Sequence, residues 1–541
     1  MISHRRQHSI DGMTPMECQE HALAARNRII IANVQQTGRS SVHIARLSSL
    51  SYNFLITYFF SARMNRGVTV GGNRSAIEHV ISSTDADAIS GRSTYCVGCG
   101  ACTLLDPAFN IAKNSDGCYC ANISGAPREG GAIASSVCPF AAGVDENQIA
   151  KDLFSAQTDI QHDQYLGYYL KTYVGFVNED GWRSRGSSGG FVSWLAATLL
   201  REGLIDAVVH VKDGPDSEHM YQYAVSHSVE ELATGAKSKY YPVEMSHVLT
   251  YMKEHDERYL FIGIPCFVKA MRLLCRNDQL LRSRVKYCIG LVCGHLKSDF
   301  FAKSEAWEAG VPLEDIRRVD FRYKIPDSPA SDYAIKVDRS DGGAPLIKRT
   351  NELSTTNWGL GYFKYNACDY CDDVLAETAD VTFGDAWLPQ YVSDSQGCNV
   401  VVVRNRTIQN ILDKHAQELV LHDSTPEEIY QSQAGGFRHR RQGLAYRLDV
   451  HKKRGEWTPT KRVQPSLEGI NKRRQKIYAM RTVLKNESFV AFTEAEKAND
   501  FSAFIRHMQP VERNYSKIQT PFSRRLSRKL KRLLKGMLRR S

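Results

Sequence analysis

No apolar run in this chain is long enough to cross a bilayer. The longest, around Phe54 to Phe60, falls far short of the ~20 residues a spanning helix needs and is broken by Thr57 and Tyr58, so a membrane-spanning protein is not expected. Nothing at the N-terminus reads as a secretory leader. A long intracellular chain keeps its thiols reduced, so disulfides are not expected among the 14 cysteines. Neither a GxGxxG fingerprint nor a P-loop lysine motif occurs, which argues against an ordinary nicotinamide-binding Rossmann domain and against an ATPase. There is no internal repeat. Acidic residues are missing altogether from the final segment, Pro521 to Ser541, which holds nine Lys/Arg. With a net charge of +11 for the whole chain, removing those nine leaves +2, so the basicity belongs to the tail.

What is present is a 541-residue chain, 42% hydrophobic and 24% charged, long enough to bury at least two cores. Residues 1–75 are rich in Arg, Ser, His and Asn without sustained periodicity. They read as a disordered or extraneous segment, with a natural start expected near Met64. Residues 76–145 carry the first cysteines and read as a small cluster-binding module. From 160 to 430, β-type runs such as Ala207–Val211 and Tyr259–Gly263 alternate with helix-like stretches such as Phe191 to Glu202, the pattern of an α/β domain. Residues 432–541 are Lys/Arg-rich and helix-like, with Pro459, Pro465, Pro510 and Pro521 as breakers. In the tail Leu526, Leu530, Leu533, Leu534, Met537 and Leu538 form one stripe of a helix with cations opposite. Such a helix suits an anionic membrane surface, or docks by its leucines onto the body; nucleic acid is disfavoured for want of interleaved aromatics. The expected location is cytoplasmic, peripheral on the inner membrane face if the tail binds lipid.

The cysteines fall in two constellations. Cys96-Val-Gly-Cys99-Gly-Ala-Cys102 has the C-x2-C-x2-C spacing of a ferredoxin-type 4Fe-4S loop, in which glycines let three thiolates converge on one small cluster. Where a fourth cysteine would precede a proline, Asp106-Pro107 stands instead. Cys138-Pro139 is therefore the expected fourth ligand, and Asp106 a weaker one because a hard carboxylate suits such clusters less well. Cys118 and Cys120 are spares. Later, Cys266 and Cys293 each end an apolar run, where an isolated cysteine is more often packing than a ligand, but Cys368-Asp-Tyr-Cys371 adds a pair, making a candidate second set of four. Cys275, Cys288 and Cys398 read as packing, and His295 as a satisfied loop histidine. Zinc is the competing reading of separated C-x2-C pairs.

Ser187-Ser188-Gly189-Gly190 opens directly into the run Phe191 to Leu200, a loop able to hold phosphate on uncovered N–H groups or to serve as a plain N-cap. Arg322 and Lys324 would face a flavin's phosphates or its anionic reduced ring, or decorate an exposed strand face.

In order along the chain, CVGCGAC with the later CPF, RSRGSSGGFVSWLAATLLREGLIDAVV, AKSKYYP, FIGIPCFVKAMR, IGLVCGH, VDFRYK, CDYCDDVLAETADVTFGDAW and GCNVVVVR resemble the family of coenzyme F(420) hydrogenase/dehydrogenase beta subunits over roughly residues 90 to 410. The resemblance implies an iron-sulfur flavoprotein with a ferredoxin-like module, a central flavin-binding α/β domain and 4Fe-4S clusters. It would pass electrons between a ferredoxin-type donor, FAD and a small organic substrate or coenzyme F(420). Carried over residue by residue, Ser187, Ser188, Gly189, Gly190, Ser238, Lys239, Tyr240, Arg322, Lys324, Gly384 and Asp385 become FAD or substrate-pocket positions. Cys96, Cys99, Cys102 and Cys138 become the cluster that takes electrons in, and Cys266, Cys293, Cys368 and Cys371 the relay near the flavin. The chain departs from the family at Asp106 and at Cys293-Gly294-His295, where Cys-His-Gly is usual. The contrasting expectation is a zinc-stabilised, non-catalytic interaction protein on the same fold.

Overall fold

The computed structural model describes residues 95–179 and 181–520. The run Phe54–Phe60, the expected start near Met64 and the basic tail 521–541 all lie outside the described residues.

The first cysteine loop bends where only glycine bends easily: Gly98 has φ +63° and Gly100 φ +87°, and the short helix Ala101–Leu105 starts at Gly100. Strands β1 (Phe109–Lys113) and β2 (Tyr119–Ile123) follow as an antiparallel pair registered from Phe109 opposite Ile123 to Lys113 opposite Tyr119. A helix, Glu146–Phe154, is capped by Asp145, which accepts from the Gln148 N–H at 2.9 Å. The small pair β3 (Gln161–Asp163) and β4 (Gly167–Tyr169) leads into the main sheet.

That sheet has eight strands: β5 (Lys171–Val177), β6 (Ala207–Asp213), β7 (Tyr221–Ser226), β8 (Tyr259–Gly263), β9 (Val285–Leu291), β13 (Val381–Asp385), β14 (Asn399–Val403) and β15 (Leu419–Asp423). Their order is β15-β5-β14-β13-β9-β8-β6-β7. The pairs β6/β8, β8/β9 and β9/β13 are parallel and the flanking pairs antiparallel, which makes the sheet mixed. β8 and β14 are buried at every position, as expected of strands covered on both faces. β10 (Ile316–Tyr323), β11 (Ala334–Arg339) and β12 (Leu346–Arg349) form a separate antiparallel sheet.

The helix Phe191–Arg201 lays Phe191, Trp194, Leu195 and Leu199 into a core shared with Leu260, Phe383 and Val401 of the sheet. On the other side a larger core is continuous from Val97, Cys99 and Ala101 through Phe261 and Phe267 to Phe492, Phe504 and Met508. The first cysteine loop and the C-terminal helices therefore pack into the same apolar interior. That interior ends in two long helices, Lys472–Ala498 and Phe501–Gln519, joined at Asn499 in the left-handed region. Pro510, expected to break a helix, lies inside the second one. Packing of Phe504, Met508 and Tyr515 outweighs the single backbone bond that a proline removes.

Candidate metal and cofactor site

The thiols of Cys96, Cys99, Cys102 and Cys138 lie near enough to influence one another. Burial pushes the Cys99 and Cys102 thiols up, and nearby Cys96 and Cys138 push both further. Burial likewise raises Cys138, to about 11. Cys96 is lowered to about 7, chiefly by a hydrogen bond with Cys120 and then by the Ala121 and Gly98 amides, whose N–H groups donate to its sulfur at 3.4 and 3.3 Å. The backbone is cradled tightly there. A Cβ on Gly98 would lie 2.2 Å from the Tyr119 carbonyl oxygen.

Two expectations change at this loop. Asp106 is fully buried with both oxygens engaged, Oδ1 by the Ala108 N–H at 3.0 Å and Oδ2 by the Arg128 N–H at 2.7 Å, so it ties the loop together and is not free to ligate. Cys120 sits beside Cys96, and Cys118 is near enough to Cys368 to feel its charge. Cys120 of β2 and Cys118 just before that strand thus approach one constellation each, a placement the sequence does not reveal.

The second four also come together. After burial, the strongest influences on the Cys266 thiol are Cys293, Cys371 and Cys368, followed by Cys99 of the first set. Burial raises Cys368 and Cys371 to about 11. The Leu296 N–H donates to the Cys368 sulfur at 3.2 Å. A small cavity lined by Pro139, Cys266, Cys371 and Asp373 lies between the two sets. Among the described residues no three His, Cys, Asp or Glu side chains form a group that could hold a single metal ion. The thiols are near enough to repel one another. The all-sulfur donor set and the N–H groups aimed at sulfur suit iron-sulfur ligation, in which each thiolate binds a separate iron.

The loop that carries Cys368 and Cys371 is pinned by buried charge. Asp369 pairs with Lys364, and with Lys485 at 2.9 Å, while the Arg447 Nε–H donates to the Asp369 carbonyl at 2.7 Å. Glu146 pairs with Lys269 at 3.1 Å, tying the helix Glu146–Phe154 to the helix that carries Cys266. His295 is not satisfied as expected: it is buried against Trp358, with ring centres 4.6 Å apart, and its Nε2 has no hydrogen-bond partner among the described residues. Burial and the cations Lys297 and Lys364 hold its pKa well below the usual histidine range.

The positions expected around a flavin form a third constellation. The Ser238 N–H donates to Ser187 Oγ at 2.8 Å, joining the two loops. Arg322, buried at the end of β10, reaches Asp385 with both arms, the Tyr240 hydroxyl at 3.3 Å and the Ser187 carbonyl at 3.3 Å. Lys324 donates to the carbonyls of Arg183, Ser188 and Gln396 at 2.6, 3.3 and 2.7 Å. Burial and its cationic neighbours Arg183, Arg322 and Lys237 push its pKa down to about 7. Gly189 and Gly190 sit where side chains do not fit: a Cβ would meet Gly175 O at 2.8 Å at the first, and Arg183 N at 2.8 Å at the second, whose φ is +88°. The Ser187–Gly190 loop therefore opens the helix Phe191–Arg201 closely packed, with Ser188 and Gly189 buried and the Ser187 and Ser188 carbonyls held by Arg322 and Lys324. Gly384 in β13 faces Val292, which leaves no room for a side chain. Lys239 donates to Ala236 O at 2.8 Å and lies over the Tyr221 ring, at the edge of the group.

Arg183, Lys297 and Arg440 were missed in the sequence. Arg183 was legible in RSRGSSGG, one turn before the loop. Lys297, buried over the Phe301 and Trp358 rings, and Arg440, one of several arginines in RHRRQG, gave no local signal.

The chain matches the family described as coenzyme F420 hydrogenase/dehydrogenase, beta subunit, in two parts: the N-terminal part over residues 172–250 and the C-terminal part over residues 256–428. The F subunit of the F(420)H(2) dehydrogenase of Methanosarcina mazei is 21% identical over 342 residues, covering 61% of this chain and 85% of that protein. An uncharacterized protein of Methanocaldococcus jannaschii is 24% identical over 233 residues, covering 42% of this chain and 78% of its own. A chain of the F420-reducing NiFe hydrogenase complex from Methanosarcina barkeri aligns with a TM-score of 0.42 and 16% identity, over 54% of this chain and 96% of that one. The class is therefore that of α/β oxidoreductases. Within that class, residues 172–250 and 256–428 match the family of coenzyme F420 hydrogenase/dehydrogenase beta subunits.

Proposed function

We propose that this protein is an iron-sulfur flavoprotein that passes electrons between a ferredoxin-type donor, two 4Fe-4S clusters, FAD and an organic substrate or coenzyme F(420). The observation that carries the reading is the mutual approach of the two cysteine sets, with Cys266 sensing both its own set and Cys99. Cys96, Cys99, Cys102 and Cys138 would hold one cluster, and Cys266, Cys293, Cys368 and Cys371 the other. Bound flavin would supply the exchange between one-electron delivery and two-electron chemistry. The chain's own contribution there is positioning: Ser187–Gly190 offers N–H groups at a helix N-terminus, and Arg322 and Lys324 supply positive charge for phosphate. Tyr240, Phe301 and Trp358 pack against one another next to Arg322 and would shield a bound ring from water.

A redox protein partner follows from the family, and the tail 521–541 would bring the assembly to an anionic membrane surface. No helix among the described residues is long and apolar enough to cross a membrane. Anaerobic purification with metal analysis and an absorption spectrum is the test. About eight irons per chain and flavin bands near roughly 450 nm are expected. A colourless protein holding zinc would replace this reading with that of a zinc-stabilised interaction protein. Liposome sedimentation with and without residues 521–541 tests the tail, and equal binding removes the membrane claim.

A further inference from the structure

The family match ends at residue 428, and the helices beyond it reach back to the second cysteine set. The deepest contact comes from the last residue of the helix Ala434–Arg440. Arg440 is buried; its Nη1 donates to the Cys371 sulfur at 2.6 Å and to the Asp373 carbonyl, and its Nη2 to the Gly294 carbonyl at 2.7 Å. After burial, Arg440 is the strongest influence on each of Cys293, Cys368 and Cys371. The first set has no such contact: among the described residues its sulfurs accept hydrogen bonds only from uncharged donors.

This asymmetry has a chemical consequence, which rests on the cluster reading above. When a one-electron donor of the ferredoxin class reduces a cluster, one negative charge is added to the cluster and its thiolates, and no bond is made or broken. A fixed guanidinium donating to a ligand sulfur stabilises that added charge and raises the potential; hydrogen bonds to sulfur and net charge are among the factors that set it. We propose that Arg440 selectively raises the reduction potential of the cluster held by Cys266, Cys293, Cys368 and Cys371. The C-terminal region is thereby a tuning element of electron transfer, drawing electrons from the first cluster toward the second: the first loses one electron and the second gains it.

The test uses the full chain, purified anaerobically with its iron counted, and redox titration followed by electron paramagnetic resonance. R440Q is expected to move the midpoint of one signal to more negative potential and leave the other in place, with R440K giving a smaller shift. R447Q is the control, because Arg447 is likewise buried beside the Cys368–Cys371 loop but donates to the Asp369 and His439 carbonyls and to no sulfur; both midpoints are expected to stay. Should R440Q not fold, R440K against R447Q carries the comparison. Iron-replete Arg440 variants with both midpoints unchanged overturn the proposal, as does an equal shift in R447Q. Loss of half the iron in both Arg440 variants also overturns it, making Arg440 a residue that holds the loop. Wild-type protein without iron defeats the cluster reading itself, a result distinct from all of these.

Discussion

Arg322 and Asp385 meet in a two-pronged ion pair, Nη1 2.7 Å from Oδ2 and Nη2 3.1 Å from Oδ1, which fastens the end of the small sheet to the end of β13 in the large one. The guanidinium also stacks near Tyr333, with its carbon 4.5 Å from the ring centre. Removing one partner of a buried pair leaves the other charge uncompensated, at a cost of about 3–5 kcal/mol. D385N is thus expected to lower stability by about that amount, read by urea denaturation. R322Q is expected to lower bound flavin as well, read from absorbance; normal flavin content in R322Q would remove Arg322 from the pocket.

Gly98→Ala is expected to empty the first cysteine set alone. The new Cβ would sit 2.2 Å from the Tyr119 oxygen at a φ of +63°, and the neighbour is backbone that cannot swing aside. Iron analysis should fall by about four per chain, half of what two cubane clusters hold. An unchanged iron content would show that the loop is not a ligand cradle.

Flavin affinity is expected to depend on pH through Lys324. Its folded pKa lies at about 7 against an ordinary 10.5, because burial and then Arg183, Arg322 and Lys237 disfavour its charge. Between those two values the unfolded chain binds more protons, so the ligand-free fold gains stability as pH rises through that window. A phosphate-bearing ligand reverses the preference and draws a proton onto Lys324. Affinity for FAD is expected to fall as pH rises above about 7, and K324M should flatten the dependence in a fluorescence titration.

Lys485→Met tests whether the long helix Lys472–Ala498 braces the Cys368–Cys371 loop. It strips one of the cations from buried Asp369, and a loss of about 3 kcal/mol is expected in chemical denaturation. A change within ~0.5 kcal/mol, the range of ordinary surface substitutions, would mean that Lys364 and Arg447 hold the loop alone.

Pro510→Ala is expected to raise stability by about 1–3 kcal/mol, since it restores an N–H to an exposed position inside the helix Phe501–Gln519. Thermal unfolding reads it directly.

The legible parts of this protein were those encoded over a few neighbouring residues. The ligand triplet Cys96, Cys99 and Cys102, the strands Ala207–Asp213 and Tyr259–Gly263, and the Ser187–Gly190 approach to a helix each carry their signal within a dozen positions, because spacing and periodicity act locally. Pro510 was misread for the same reason: a proline resembles a stop until Phe504 and Met508 anchor the helix around it. Asp106, the weaker of two candidate fourth ligands in the sequence, has its oxygens taken by the Ala108 and Arg128 amides.

Tertiary structure alone decided which distant groups face one another. Cys371 and Arg440 are 69 residues apart, and Ser187 and Arg322 are 135. Nothing in a lysine- and arginine-rich stretch marks one guanidinium as the partner of a buried sulfur, because that choice depends on burial, which removes competing water and makes a single charge count. Spacing by itself determined the triplet Cys96, Cys99 and Cys102, and alternating runs the α/β frame, whereas the grouping of Cys266, Cys293, Cys368 and Cys371 drew most of its weight from the family resemblance. Which charges surround each constellation was decided by the packing of the C-terminal helices against the core, where a low dielectric magnifies differences that solvent would have levelled.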